Sequence, residues 1–474
     1  MKRHFFVLFI LAMGCASHPA FAGPNHAEFI RGPFKNGPEV TRKCMECHEQ
    51  ETQSFMKSVH WTWSKKQVVN GKSMEYGKKN ALNNFCIALP SNWSRCTSCH
   101  AGYGWKDSSF DFTKAENVDC LVCHDSTGTY RKFPSGAGHP VYAGEKKEFP
   151  KGNVWEPVDL VRVAQSVGKP TRATCGSCHF YGGGGDRVKH GDLDSTLTNP
   201  TPDIDIHMGG KSQMTCESCH RGNDHAIKGE AASVSLGSGA ARTMGCTDCH
   251  RGDAHKNAML NRHAGKIACQ TCHIPTFAKA KPTKVWWDWS TAGKDVKPEE
   301  VKKDAYGEKQ YDKMKGDFAW EKDIVPTYFW YNGSVERVLL GDKIDPTREV
   351  KLSAAKGSRK DPNARIFPFK VMRGKQPYDS ENKTVAVVNV FGPPTSESAY
   401  WVHYDWGKAI AAGMKSAGQP YSGKFGWIET SMVWPVNHMV APKEKALRCA
   451  DCHGAKGRLD WKALGYAGDP RLKK

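Results

Sequence analysis

The chain has 474 residues, of which only 39% are hydrophobic, and its mean hydropathy is −0.60. A chain this polar buries too little apolar surface to pack several independent cores from its own side chains, which favours an interior filled by large cofactors. The formal charge of +19 is high enough for a nucleic-acid-binding protein, but the basic residues are spread along the whole chain and form no dense block.

The first 22 residues are predicted to be a signal peptide. Lys2 and Arg3 precede the apolar run 5–12, and the small-residue pattern at 20–22 predicts cleavage before Gly23. The alternative is an uncleaved anchor, but the run is too short to cross a bilayer, and no later segment approaches the required ~18–20 apolar residues. The sequence therefore predicts a periplasmic protein that does not span a membrane.

Sixteen of the eighteen cysteines fall into eight C-x-x-C-H motifs. In chain order the motif residues are Cys44, Cys47 and His48; Cys96, Cys99 and His100; Cys120, Cys123 and His124; Cys175, Cys178 and His179; Cys216, Cys219 and His220; Cys246, Cys249 and His250; Cys269, Cys272 and His273; and Cys449, Cys452 and His453.

This motif is typical of covalent haem attachment. Two cysteines at this spacing reach the two vinyl groups of one porphyrin as thioethers, and the histidine that follows lies under the iron as its proximal ligand. Zinc clusters and disulfide frameworks require no histidine at a constant fifth position. The sequence therefore predicts eight covalently bound c-type haems (haem c, iron). Their propionates would offset much of the positive charge, and we expect no nucleic-acid partner.

The motifs divide the chain unevenly. Residues 23–274 carry motifs 1–7 and form a haem-binding region, residues 275–395 form an aromatic-rich covering region without a motif, and residues 396–474 carry motif 8. We expect a mainly α fold with many loops, a multihaem cytochrome c fold wrapped around eight haems, with a small β content in the haem-poor region. The alternating run 384–391 predicts a strand there, and the spacing of Trp and Met residues between 396 and 447 predicts helices.

Each haem iron needs a sixth ligand or an open site, and the exported chain has ten histidines outside the motifs. Seven of them are favoured as distal ligands: His60, His190, His207, His225, His255, His263 and His438. His26, near the new N-terminus, His139, in a turn, and His403, in an aromatic segment, are set aside. Seven histidines for eight haems leave one iron with a different ligand.

Several longer stretches resemble octahaem tetrathionate reductase. They include Asn83–Cys86 with the second motif and its continuation to Trp105, the run from Cys175 through the four glycines at 182–185 to Asp194, and the segments around His273, 287–293 and 437–439. The resemblance covers nearly the whole exported chain, with length differences mainly around 134–151 and 280–363.

The resemblance implies that the second haem is catalytic, with His100 as proximal ligand and Lys189 as an unusual distal ligand. It also implies that Cys86 and Asn83 lie beside the substrate, and Lys370 is a further candidate for binding an anionic substrate. By themselves these residues have plainer interpretations: a lysine on a glycine-rich loop is usually a surface residue, and a lone cysteine is usually an inert apolar one. A lysine binds iron only as the neutral amine, so its pKa must be lowered.

Two classes of function follow. The first is a reductase that converts tetrathionate to thiosulfate, or reduces small nitrogen compounds such as nitrite and hydroxylamine; Cys86 favours sulfur chemistry. Because the wider grouping includes hydroxylamine oxidoreductases and pentahaem nitrite reductases, the direction of catalysis stays open. The second is a non-enzymatic electron-transfer protein. The expected partners are a small anionic nitrogen or sulfur oxide substrate and a periplasmic or membrane-bound electron-donor protein.

Overall fold

The computed structural model describes residues 25–85, 87–150, 152–229, 244–251 and 253–472. The predicted signal peptide and Cys86 lie outside the described residues. None of the described helices is long and apolar enough to cross a membrane.

The helices are mostly single turns. They are α1 His26–Phe29, α2 Gly37–Met56, α3 Val59–Thr62, α4 Trp93–Cys96, α5 Leu121–His124, α6 Leu160–Gln165, α7 Arg172–His179, α8 Ile206–Gly209, α9 Cys216–Cys219, α10 Ala258–His263, α11 Cys269–His273, α12 Tyr400–His403, α13 Trp406–Ser416 and α14 Cys449–Cys452. Six of the eight motifs start in or just before one of these α-helices, the second runs from α4 into a 3₁₀ turn, and the sixth lies in a 3₁₀ turn.

The longest helix, α2, contains the first motif and bends within it. Asn36 caps α2 by accepting a hydrogen bond from the Glu39 amide at 3.0 Å, and Pro38 occupies the first turn, where its missing N–H costs nothing. The helix bends at His48, whose backbone angles are not helical. The bend therefore falls on the histidine that the first motif contributes.

The strands are β1 Ser64–Val69, β2 Lys72–Gly77, β3 Lys147–Glu148, β4 Val154–Trp155, β5 Thr283–Asp288, β6 Tyr311–Asp312, β7 Gly316–Glu321, β8 Thr327–Tyr331, β9 Val335–Arg337, β10 Val350–Lys351, β11 Ser353–Ala355, β12 Arg365–Asp379, β13 Thr384–Val385 and β14 Phe425–Pro435. The largest sheet has eight strands in the order β10-β14-β12-β5-β7-β6, with β8 and β13 also paired to β12. The mainly α fold class with loops around the motifs is confirmed, and the β structure is concentrated in the motif-free part of the chain.

Two details differ from the sequence-based expectation. The alternating run 384–391 forms a strand only at β13, and residues 425–435 form β14, not a helix. β14 pairs antiparallel with β12 over eleven positions, so the sheet crosses the predicted boundary at residue 396. Because both faces of β14 are covered, its buried residues do not alternate with polar ones, and their spacing imitates that of a helix.

The sheet separates two cores. Met432 and Trp434 on β14 pack into the largest core, which also contains Phe85 and Val188. Val433, between them, faces a second core with Tyr76 and Phe369. This alternation follows from the opposite directions of successive side chains on a strand. The fold therefore brings residues around 85, 188 and 434 together at one face of the β12–β14 pair.

Candidate functional site

Seven of the eight motif histidines face a second histidine in the described part of the chain. The pairs and the distances between their ring centroids are His26–His48 6.2 Å, His60–His179 6.0 Å, His124–His225 6.4 Å, His207–His250 6.1 Å, His220–His438 6.3 Å, His255–His273 5.9 Å and His263–His453 6.4 Å. Two imidazoles that share one metal ion, each through a bond of about 2 Å, have centroids about 6 Å apart. The spacing of these residues therefore fits bis-histidine haems.

Six of the seven histidines favoured as distal ligands occur in these pairs, and the seventh, His190, does not. His190 lies against Trp434, with ring centroids 5.2 Å apart, and its Nδ1 is 4.0 Å from Asp192. His26 takes the position opposite His48, because α1, capped by Asn25, lies beside α2. No local pattern around His26 in the sequence indicates this long-range contact.

His139 and His403, which were also set aside, are not members of these pairs. His139 Nδ1 lies 2.7 Å from the Tyr142 hydroxyl, and its ring stacks on Tyr103. His403 Nε2 lies 2.6 Å from the carbonyl oxygen of Ser396. Both imidazoles therefore have ordinary hydrogen-bond partners.

The second motif is different, because no described histidine faces His100. The buried His100 ring is surrounded by aromatic rings, including Trp61, Trp63 and Trp105 at centroid distances of 5.1, 5.4 and 4.9 Å. Burial lowers its pKa to about 3, so the ring is neutral. Its Nε2 is hydrogen-bonded to the Trp61 carbonyl at 2.7 Å, and its buried Nδ1 has no partner.

Lys189 is presented beside this motif by the glycine-rich turn. A Cβ added to Gly183 would lie 2.5 Å from the Cβ of Lys189, so only glycine fits there. The Lys189 amine lies 4.9 Å from the centroid of the Trp434 ring, and its charge interacts with Cys99 of the second motif. Burial, with the positive charges of nearby basic residues, lowers its pKa to about 7. A large share of Lys189 is therefore the neutral amine at neutral pH, the form that can bind a metal ion.

The buried side chain of Lys370 holds the backbone of the Lys189 loop in place through hydrogen bonds. Lys370 donates hydrogen bonds to the Val188 carbonyl and to Thr283 Oγ1, both at 2.7 Å, and Thr283 Oγ1 donates in turn to the Arg187 carbonyl at 2.7 Å. Lys370 is only 1% exposed, and burial lowers its pKa to about 7. The expectation that Lys370 binds an anionic substrate therefore has no support in this geometry, which gives its amine a role in positioning the loop.

Asn83, Phe85 and Ile87 form a turn next to this loop, closed by hydrogen bonds of Asn83. The Asn83 amide donates to the Ile87 carbonyl at 3.0 Å, and Asn83 Oδ1 accepts from the Phe85 amide at 3.2 Å. Ile87 is fully buried with φ +69°, a conformation that β-branched residues rarely adopt. Such strain is often found at functional sites. Phe85 packs on Trp434, the ring that also lies under Lys189, so this turn and the lysine loop meet at Trp434.

The motifs lie close to one another. Side chains of different motifs interact electrostatically in these pairs: Cys44 with Cys120, Cys123 with Cys175, Cys175 with Cys216, Cys219 with Cys249, His250 with His273, and Cys272 with Cys452. Motifs 1, 3, 4, 5, 6, 7 and 8 therefore form a continuous series. Cys99 interacts with Cys178, which attaches motif 2 to this series at motif 4.

The second nitrogen of several paired histidines also has a partner. Nδ1 of His438 lies 3.1 Å from Asp192, and Nδ1 of His453 lies 2.6 Å from Asp469. Others meet a neutral oxygen: His124 the Gly168 carbonyl at 2.9 Å, His220 the Lys228 carbonyl at 3.0 Å, and His263 the Met259 carbonyl at 2.8 Å. Such partners fix the ring orientation and tune the basicity of a metal-binding imidazole.

These features define a multihaem c-type cytochrome. A family model described as "Cytochrome c bacterial" matches residues 284–456, and one described as "Cytochrome c554 and c-prime" matches residues 43–125. An uncharacterized protein from Archaeoglobus fulgidus is 26% identical, over 40% of this chain and 74% of the relative.

A solved structure, the octaheme cytochrome c from Shewanella oneidensis, is 45% identical and has a TM-score of 0.86, covering 95% of this chain and 98% of that one. The chain belongs to this octahaem cytochrome c family, as its resemblance to octahaem tetrathionate reductase predicted. It carries covalently bound c-type haems, and the cofactor prediction is confirmed.

Proposed function

We propose that this cytochrome is a periplasmic reductase whose catalytic haem is bound by the second motif, with Lys189 as its distal ligand. Each of the other seven motifs has a histidine facing its own, whereas the second has a nearby buried amine with a pKa of about 7. This difference between the second motif and the other seven is the observation that supports the proposal. The seven histidine pairs would hold electron-transferring haems, and Lys189, a weaker ligand for iron than a second imidazole, would be displaced more readily by substrate.

The preferred substrate is tetrathionate, with nitrite and hydroxylamine as alternatives. Tetrathionate takes up two electrons, its central S–S bond breaks, and two thiosulfate ions leave. Cys86 would act as a thiolate that attacks a central sulfur, releases one thiosulfate and keeps the other half as a mixed disulfide. Two electrons then cleave that bond, release the second thiosulfate and restore the thiolate. The haems supply these electrons, which come from a periplasmic or membrane-bound donor protein.

The test uses the purified, chemically reduced, haem-loaded protein. We expect tetrathionate to reoxidise it rapidly, and Lys189→Ala and Cys86→Ala to slow this reaction by at least about a hundredfold. Reoxidation by ferricyanide, which takes electrons without a binding site, serves as the control and should be unchanged. If nitrite or hydroxylamine reacts faster than tetrathionate, the assignment of tetrathionate as the substrate is wrong, but the assignment of the catalytic haem to the second motif is unaffected.

A non-enzymatic electron carrier is the second candidate. It predicts that no substrate reoxidises the reduced protein above background and that both substitutions leave electron transfer intact. A hydroxylamine-oxidoreductase-like enzyme would instead reduce the haems when hydroxylamine is added to the oxidised protein. The depressed pKa of Lys189 favours the reductase, because a carrier has no need for a ligand that is easily displaced.

A further inference from the structure

Arg337 is a buried cation without a countercharge in the described part of the chain. It is 4% exposed, and Nε, Nη1 and Nη2 all lack a hydrogen-bond partner. It also takes part in none of the ion pairs found among the described residues. A buried charge is costly unless it is paired and hydrogen-bonded, so a guanidinium held in this way indicates a missing anionic partner.

The position of Arg337 is fixed by its backbone. Asn70, at the turn between β1 and β2, donates to the Arg337 carbonyl at 2.7 Å and accepts from its amide at 3.4 Å. Arg337 ends β9, which pairs with β11 at Ser353. The hairpin and the strand together hold the backbone of Arg337, and its side chain is buried.

Tyr76 on β2 supplies a second unsatisfied polar group at the same place. The Arg337 guanidinium lies 5.9 Å from the centroid of the Tyr76 ring, and the two side chains interact. The Tyr76 hydroxyl is buried and makes no hydrogen bond of normal geometry. A buried tyrosine hydroxyl usually has a partner. The Arg337 guanidinium is directed at the Tyr76 hydroxyl oxygen, so the groups that lack an acceptor are the hydroxyl proton and the remaining guanidinium N–H groups. Adjacent buried donors of this kind indicate a group that accepts from both side chains.

This pair lies near the proposed catalytic haem. The charge of Arg337 acts on Lys189, and so does that of Lys78, which directly follows β2 and stacks on Trp63 at 3.8 Å. Lys78 also acts on Cys99 and His100 of the second motif. A cluster of positive charge therefore surrounds the second motif and would attract anions to it.

We propose that Arg337 and Tyr76 form a binding site for a carboxylate or oxyanion group beside the second motif. A guanidinium matches such a group with two parallel N–H donors, and a tyrosine hydroxyl adds a third. The group has two possible sources, a propionate of the second haem or an oxyanion end of the substrate. The substrate as the source of this group rests on the proposed function; a propionate as the source does not.

The test replaces Arg337 by methionine in the haem-loaded protein and measures its thermal unfolding in the oxidised state without turnover. Methionine is apolar and of similar length. If Arg337 is an unpaired buried charge, its replacement by methionine would stabilise the protein; if Arg337 pairs with a bound anion, the replacement would leave that anion without a partner and destabilise the protein. If the anion is a haem propionate, we expect a lower Tm, with a smaller decrease for Tyr76→Phe; if it is the substrate, we expect the lower Tm only when saturating inorganic sulfate is present. A higher Tm for Arg337→Met both without and with saturating sulfate would overturn the proposal.

Two further measurements separate the sources. A shifted absorption spectrum and reduction potential of the lysine-ligated haem in substrate-free Arg337→Met would assign the site to a propionate. An unchanged spectrum, with calorimetric binding of inorganic sulfate or tetrathionate weakened about tenfold or more, would assign it to substrate. Arg458→Met is the matched control, because that guanidinium donates to the Pro275 carbonyl at 2.8 Å, and it should change neither reading. If neither the haem spectrum and potential nor the anion affinity changes in Arg337→Met, the site binds no anion. This conclusion would hold whichever substrate the enzyme reduces.

Discussion

Asp192 accepts a hydrogen bond from Nδ1 of His438 at 3.1 Å and from the backbone amides of Asn437 and His438 at 2.8 and 3.0 Å. Burial opposes ionisation of this carboxyl, but its hydrogen bond with His438 prevails and lowers its pKa to about 2. The carboxylate is therefore charged at physiological pH. Asp192 is three residues from Lys189, so one short segment carries both the hydrogen-bond partner of His438 and the lysine that we propose as a ligand of the second haem.

The first prediction concerns this carboxylate. A charged acceptor makes the imidazole a stronger donor to iron and stabilises the ferric state. Asp192→Asn should therefore raise the reduction potential of the haem that we propose His220 and His438 bind, on the order of tens of millivolts. Spectroelectrochemical titration measures it. Asp469→Asn, which removes the corresponding partner of His453, should shift a different haem. An unchanged potential in both variants would refute this role of the carboxylates.

The second prediction separates His26 from His190. His26→Ala should convert one low-spin haem to a high-spin or water-ligated one, because it removes the imidazole 6.2 Å from that of His48. His190→Ala should leave the number of bis-histidine haems unchanged, since its ring lies against Trp434. Electron paramagnetic resonance of the oxidised proteins counts the spin states. The opposite result would favour His190 over His26 as the ligand.

The third prediction concerns pH and Lys370. Its amine has a pKa of about 7 in the folded protein, against about 10.4 when unfolded. Between these values the unfolded chain binds more protons, so this residue makes the free energy of unfolding rise with pH by up to about 1.4 kcal/mol per pH unit. Below pH 7 its contribution is constant.

Lys370→Met should remove this part of the pH dependence in denaturant titrations between pH 6 and 10. The same substitution at the exposed Lys445, which pairs with Asp203, should leave the slope as in the parent protein. Equal slopes for all three proteins would show that Lys370 is protonated in the folded state throughout this range.

The fourth prediction tests the glycine under Lys189. Gly183→Ala places a methyl group 2.5 Å from the Lys189 Cβ and 3.0 Å from its Cδ, so the lysine must move. Since displacement of a catalytic group by about 1 Å can cost about a hundredfold, we expect turnover to fall by one to two orders of magnitude. Gly468→Ala, where the methyl group meets no atom within 4 Å, is the control. Full activity in Gly183→Ala would argue against lysine ligation.

The sequence predicts what is local. Each motif is contiguous, so the number and kind of cofactors follow from spacing alone, and the glycine run predicts the turn before Lys189. Pairings across the chain are not local: His225 faces His124, and His26 faces His48, only because the loops fold back. The use of Lys370 as a support for Val188 likewise depends on a strand register that no pattern shows.

The arrangement of the motifs has a consequence for how electrons arrive. Motif 2 is a side branch at motif 4, not the end of the series, so two arms converge on it: a short one through motif 3 to motif 1, and a long one through motifs 5, 6 and 7 to motif 8. Exposed cysteines occur in both outer motifs, at Cys47 and Cys449, and also in motifs 5 and 6, at Cys219, Cys246 and Cys249. In the proposed reductase, electrons stored on the haems of both arms would complete a multi-electron reduction without a second visit from the donor.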